Sequence, residues 1–372
     1  MTTLPSVDPR WGHEMRGMRE DRGLTLRRLG TLTAYSHTYL WEIETGRKRP
    51  RPEVAMRVDE ALRAGGRLLA LLDEAPVTPE DMDRLAWITA RPRTLDVPAL
   101  DSLRTVLAHH RRLEDSLGSR ALAAPTLAHL RMLTDLVTET RGAVRTEVVD
   151  VAAQWAQFAG WLQAASGRPG RARELYALVL EWATEAGNRQ LIATALSLRG
   201  HLAWQARRPA AVIDLSAAAL RQRTTPGVRA LAAQQEARGH ALAGEGDEAD
   251  RKLDRAASLT AAATEHPDRE PPWIYFFDGD YLTVQRGLAY RLLGRREAAA
   301  EQLQVGLAAM PEQLRRSEWV GTYVLQLALT CHEIGESVEA RRWLDEARAI
   351  VAATGSRQLD RQTELLARRL GG

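Results

Sequence analysis

Residues 36–50 read SHTYLWEIETGRKRP. Ser36 is a helix-capping residue, Leu40 and Ile43 fall on one helical face, and Gly46 ends the pattern. Three cations follow, Arg47, Lys48 and Arg49. Taken alone, the stretch is either a surface helix with a charged tail or a helix built to be pushed into a partner. The segments around it decide between the two.

Upstream, HEMRGMREDRG is amphipathic, with Met15 and Met18 inward. Thr25 caps a second helix, LRRLGTLT, whose Leu29 and Leu32 are expected to face a core. Ser36 caps the third, HTYLWEIE, and PEVAMRVDEAL opens on Pro52 and buries Val54, Val58 and Leu62. Only about three residues join helices two and three. That is a helix-turn-helix arrangement, which presents the front of its second helix to a DNA major groove.

Charge agrees with this reading locally and not globally. The chain of 372 residues carries a net charge of only +3, too small to signify nucleic-acid binding. Between Arg22 and Arg51, however, seven cations face two acids. Nearly all the basic charge is arginine, since Lys48 and Lys252 are the only lysines.

The residues RGLTLRRL and SHTYLWEIETGRKRPRPE resemble the Xre (Cro/phage-repressor-like) helix-turn-helix family over about residues 11–65. The resemblance implies a lambda-repressor-like fold and double-stranded DNA as partner. It places His37, Thr38 and Glu42 at base edges, and Arg27, Arg28, Tyr39, Arg47, Lys48 and Arg49 at phosphates. Glu44 is expected to bond within the domain. Three positions depart from the family: Leu26 stands where Gln is common, Ala34 where a left-handed Gly is usual, and Trp41 is large for an outward position.

The remainder is long enough for at least one further domain. Apolar spacings of three and four run through it without period-two alternation, so the whole chain is all-α. We divide it into a DNA-binding segment at 9–72, a proline-bearing linker with one short helix (Trp87) at 73–98, and a repeat domain at 99–372. The repeat signal is a small residue followed five positions later by Ala: Gly118, Gly167, Ala206, Gly244, Gly294 and Gly335 lead to Ala123, Ala172, Ala211, Ala249, Ala299 and Ala340. Four residues on comes a large apolar side chain: Leu127, Tyr176, Leu215, Leu253, Leu303 or Leu344. Anchor spacings of 49, 39, 38, 50 and 41 leave two intervals that need longer helices or insertions. The pattern describes stacked helix pairs and resembles a tetratricopeptide-like α-solenoid over 99–355, with longer periods than that family's usual ~34 residues.

One long interval contains PPWIYFFDGDY, Pro271–Tyr281. Its Trp273, Tyr275, Phe277 and Tyr281 form either an effector groove or a repeat core, and Trp155, Phe158, Trp161, Trp182 and Trp204 pose the same choice. CHEIGE at 331–336 lacks the second His of a zinc helix, and no Gly-Lys-Ser/Thr loop exists for a nucleotide. No catalytic pair, metal or cofactor is expected, and no enzyme activity. The lone Cys331 suggests a reducing compartment. The start lacks a signal-peptide pattern, and Val151–Gly167 carries Gln154, Gln157, Gln163 and Ser166. A cytoplasmic protein with no membrane partner is therefore expected. The expected function is a bacterial transcriptional regulator, a homodimer whose repeat domain receives a peptide, small-molecule or protein signal. The alternative is an adaptor scaffold that the head merely tethers to DNA.

Overall fold

The computed structural model describes residues 11–72 and 97–371; every regular element among them is a helix. The proposed linker, apart from its last two residues, lies outside the described residues.

The head consists of α1 (Trp11–Asp21), α2 (Leu26–Thr33), α3 (His37–Glu44), α4 (Pro52–Ala61) and the short α5 (Arg67–Ala70). Thr25 accepts from the Arg28 amide and Ser36 from the Tyr39 amide, so both expected caps are formed. Met15, Leu29, Leu40, Ile43, Val54, Val58 and Leu62 meet in one core. Each such side chain contributes about 1.5–3 kcal/mol on burial. The Trp11 indole donates to the Leu68 carbonyl at 2.8 Å and closes the head across α1 and α5.

Leu32 corrects the expectation, being 48% exposed. Leu29, Gly30 and Thr33 are the buried residues of α2. A spacing of three from Leu29 falls one way around the helix and spacings of one and four fall the other way, and it is the latter face that meets the core. The turn between α2 and α3 keeps a left-handed residue although it is alanine: Ala34 has φ 59° and ψ 24°. Gly30 makes this turn possible, because a β-carbon there would lie 2.7 Å from the Tyr35 carbonyl oxygen.

The body is a stack of helix pairs: α6 (Val97–Leu117) with α7 (Ser119–Glu139), α8 (Arg145–Ala165) with α9 (Pro169–Glu185), and α10 (Arg189–Gln205) with α11 (Pro209–Leu220). Then come α12 (Pro226–Ala243) with α13 (Gly246–Glu265), and α14 (Gly279–Leu292) with α15 (Arg296–Ala309). After the short α16 (Glu312–Arg315), α17 (Glu318–Glu333) pairs with α18 (Ser337–Thr354). The last helix, α19 (Arg357–Gly371), lays Leu359, Thr363 and Leu366 against the end of the stack. The six anchors all fall at turns within pairs. The long interval before Gly167 is taken up by helices of 21 residues, and the one before Gly294 by an insertion at 266–278 with two 3-10 turns.

The second and last three pairs bury the Ala and the large residue, as at Ala172 and Tyr176 or Ala299 and Leu303. The other two are shifted by one position. In the third pair the left-handed residue is Arg207 (φ 52°), so the equivalents are Val212 and Ser216, both with no exposed surface, rather than Ala211 and Leu215. In the first pair α7 starts immediately after Gly118, and Leu122 and Thr126 take the buried places. Gly160 shows why the first helices carry glycine: a β-carbon there would lie 2.4 Å from the Tyr176 ring.

Candidate nucleic-acid interface and an aromatic cavity

Helix α3 is anchored from behind. Arg19 of α1 grips Glu44 with Nε and Nη2, each 2.8 Å from a carboxylate oxygen, which fulfils the structural part expected of Glu44. With its rear fixed and its front capped by Ser36, α3 presents His37 and Thr38 to solvent at its N-terminal end. Arg27 and Arg28 are exposed on the first turn of α2, and Arg47 and Arg49 on the loop after α3. Trp41 packs against that loop, with the Arg47 guanidinium 4.3 Å from its ring centre.

Three of the expected contact residues are placed differently. Tyr39 is fully buried, its ring in the head core and its hydroxyl without a partner, and so is removed from the phosphate-facing set. It lies one residue before Leu40 and shares the buried side of α3 with Leu40 and Ile43. Glu42 and Lys48 pair with each other at 3.0 Å, joining a residue expected at a base to one expected at a phosphate. Lys48 also reaches Asp268 of the body at 3.4 Å.

That contact belongs to a larger seam. Arg51 donates to the carbonyls of Asp268 and Glu270, at 2.9 and 2.6 Å. Arg57, on α4, pairs with Asp278 and, at 2.8 Å, with Asp280. Burial opposes the charge on Arg57 and on Asp278 alike, yet the two facing carboxylates raise the Arg57 pKa above the ordinary guanidinium value. Tyr35, Arg51 and Glu53 of the head face Glu270, Phe277 and Asp278 across a cleft in this seam. The sequence signalled none of these pairings. Asp278 also caps α14, accepting from the Tyr281 amide.

The other side of the same insertion lines a cavity of about 780 Å³, its solvent-open part included. Trp273, Tyr275 and Tyr281 are in its wall, with Phe158, Trp161 and Trp319 from the body helices. Phe277 faces the seam instead. Trp273 donates to the Thr194 hydroxyl at 2.9 Å, while Tyr275 and Trp319 both donate to Asp115, at 2.7 and 2.9 Å. The aromatic stretch is thus partly core, since Trp273 and Tyr281 are buried, and partly cavity wall. Burial pushes the Asp115 carboxyl up to about 6, although the two hydrogen bonds pull the other way. Sequence reading missed Arg111, which lies beside this wall; one more arginine in a helix carries no local signal that it is buried.

A family model for a helix-turn-helix domain matches residues 10–72. It spans the head and its recognition turn, and a helix-turn-helix domain supports DNA as a partner. No curated protein matches the chain. Among the described residues no helix is long and apolar enough to cross a membrane.

Proposed function

We propose that the protein is a DNA-binding transcriptional regulator of the Xre type, with α3 in the operator major groove. His37 and Thr38 meet base edges, with Glu42 one turn behind; Arg27, Arg28, Arg47 and Arg49 hold phosphates, and Lys48 joins them when it leaves Asp268. The observation that carries this reading is the capped and rear-anchored α3 with exposed His37 and Thr38 between exposed arginines. The tetratricopeptide-like body is the receiving domain, and two chains place two heads on adjacent half-sites.

The insertion at 266–278 and the start of α14 link the two functions. On one side they line the cavity, and on the other they hold Arg51 and Arg57 of the head. A change at the cavity wall therefore acts directly on the seam that orients the head. An adaptor with a merely tethering head has no use for such a seam, which favours the regulator.

A mobility shift with the DNA upstream of the chain's own coding region tests the assignment. Replacing Thr38 and Arg47 together by Ala should abolish the shift at concentrations that saturate the parent chain. Unaltered binding would remove α3 and its loop from the interface.

A further inference from the structure

Arg111 is 5% exposed and lines the cavity, and its Nη2 has no hydrogen-bond partner. No carboxylate among the described residues forms an ion pair with it. Burial lowers its pKa to about 10, which still leaves it charged at neutral pH. A buried guanidinium without a counter-charge is costly, and structures rarely keep one without a ligand or an ion to satisfy it. Glu114 lies in the same wall, but burial, the nearby Asp115 and Glu318 raise its pKa well above the carboxylate range and favour its neutral form. The cavity therefore sets a buried guanidinium into an aromatic wall. A second guanidinium, Arg238, is 1% exposed and stacked 3.7 Å over Trp204, with Nε and Nη2 unpartnered.

Two amide oxygens complete the wall: Gln157 Oε1 and Gln235 Oε1, both buried and both without a donor. They ask for an N–H or O–H on the bound molecule. We propose that the cavity binds a small aromatic carboxylate, its carboxylate paired with Arg111, its ring among Trp161, Trp273 and Trp319, and a ring donor serving Gln157 or Gln235. The planar fork of a guanidinium matches a carboxylate with two parallel hydrogen bonds, a fit that a neutral or cationic ligand does not offer. As an effector site this rests on the regulator reading; as a binding site it stands on the cavity alone.

Calorimetric titration of the full chain without DNA tests it, using indole-3-acetate, indole-3-acetamide and naphthalene-1-acetate as probes. Indole-3-acetate should bind saturably and at least tenfold more tightly than its amide, and naphthalene-1-acetate should fall between them. Arg111→Gln should remove the preference for the acid, and Arg111→Lys should retain part of it. In the ligand-free chain, Arg111→Met should raise the melting temperature, because it removes an unpaired buried charge. The proposal is overturned if no acid binds, if the amide binds equally well, if Arg111→Gln leaves the acid's affinity intact, or if Arg111→Met lowers the melting temperature. A chain that binds the acid yet shifts no DNA would overturn the regulator reading and leave the site standing.

Discussion

The head and the body use arginine in opposite ways. Arg27, Arg28, Arg47 and Arg49 stand in solvent on the head, where an unpaired charge is well hydrated and available to a polyanion. Arg111 and Arg238 are buried in the body with unpartnered nitrogens, where the same charge is held against its own desolvation. Exposed cations recognise a surface of charge; buried ones recognise a particular group. Arg57 lies between these cases, a head arginine buried and neutralised by the body's Asp278 and Asp280.

The largest effect should come from that intermediate case. Arg57→Ala leaves two partly buried carboxylates facing each other, and removing one side of a buried pair costs about 3–5 kcal/mol. Denaturant unfolding of the full chain should show this loss, with much of it recovered when Asp278→Asn and Asp280→Asn are added. Should Arg57→Ala cost nothing, the seam does not hold the head and the contrast reduces to exposed against buried.

A pH titration of stability sharpens the body's side of the comparison. The Asp115 carboxyl is raised from 3.8 to about 6, so between those values the folded chain binds more protons than the unfolded one. Stability must then fall as pH rises across that window, by about 2 kcal/mol after allowing for the edge of the group that meets solvent. Arg112, Glu53 and Glu114 also surround it, so the difference between the parent chain and Asp115→Asn is the quantity to measure. A variant with the parent's slope between pH 4 and 6 would place the titrating group elsewhere.

Smaller effects probe the frame that exposes the head's arginines. Ser36→Ala removes the cap on α3 and should lower stability by about 1 kcal/mol in thermal unfolding. Ala34→Gly should raise it by several tenths to about 1 kcal/mol, because Ala34 already occupies a left-handed conformation at φ 59°. A loss on Ala34→Gly would mean that the turn gains more from its methyl group than from relief of strain.

The contrast also explains which parts were legible in the sequence. The head could be read because caps, turn residues and helical spacing are local: Thr25, Ser36 and Pro52 mark helix starts without knowledge of the rest. The six turns of the body were legible for the same reason, and the register slipped where Arg207 takes the left-handed place that glycine fills elsewhere. Leu32 was misjudged because a helix of eight residues offers too few apolar positions to fix its inner face, and Tyr39 because its place came from the resemblance and not from the face of α3 it occupies. The pairing of Arg57 with Asp278 and Asp280 joins residues more than 200 positions apart, and nothing in either segment announces it. The cavity was half legible: the aromatic run stood out, but its buried cation lay in a helix that looked ordinary.

The salt dependence of DNA binding tests the central claim most directly. Anisotropy titrations over a range of salt concentrations should be run on the parent chain, on the variant with Arg27, Arg28, Arg47 and Arg49 replaced by Gln, and on Arg111→Met. The four exposed arginines should carry the phosphate contacts, so their removal should flatten the slope of log affinity against log salt by about three to four for each head bound, or about seven for two heads on adjacent half-sites. Arg111→Met should leave the slope unchanged. An unchanged slope in the fourfold variant, or a flattened one in Arg111→Met, would contradict the division of labour between the head's arginines and the body's.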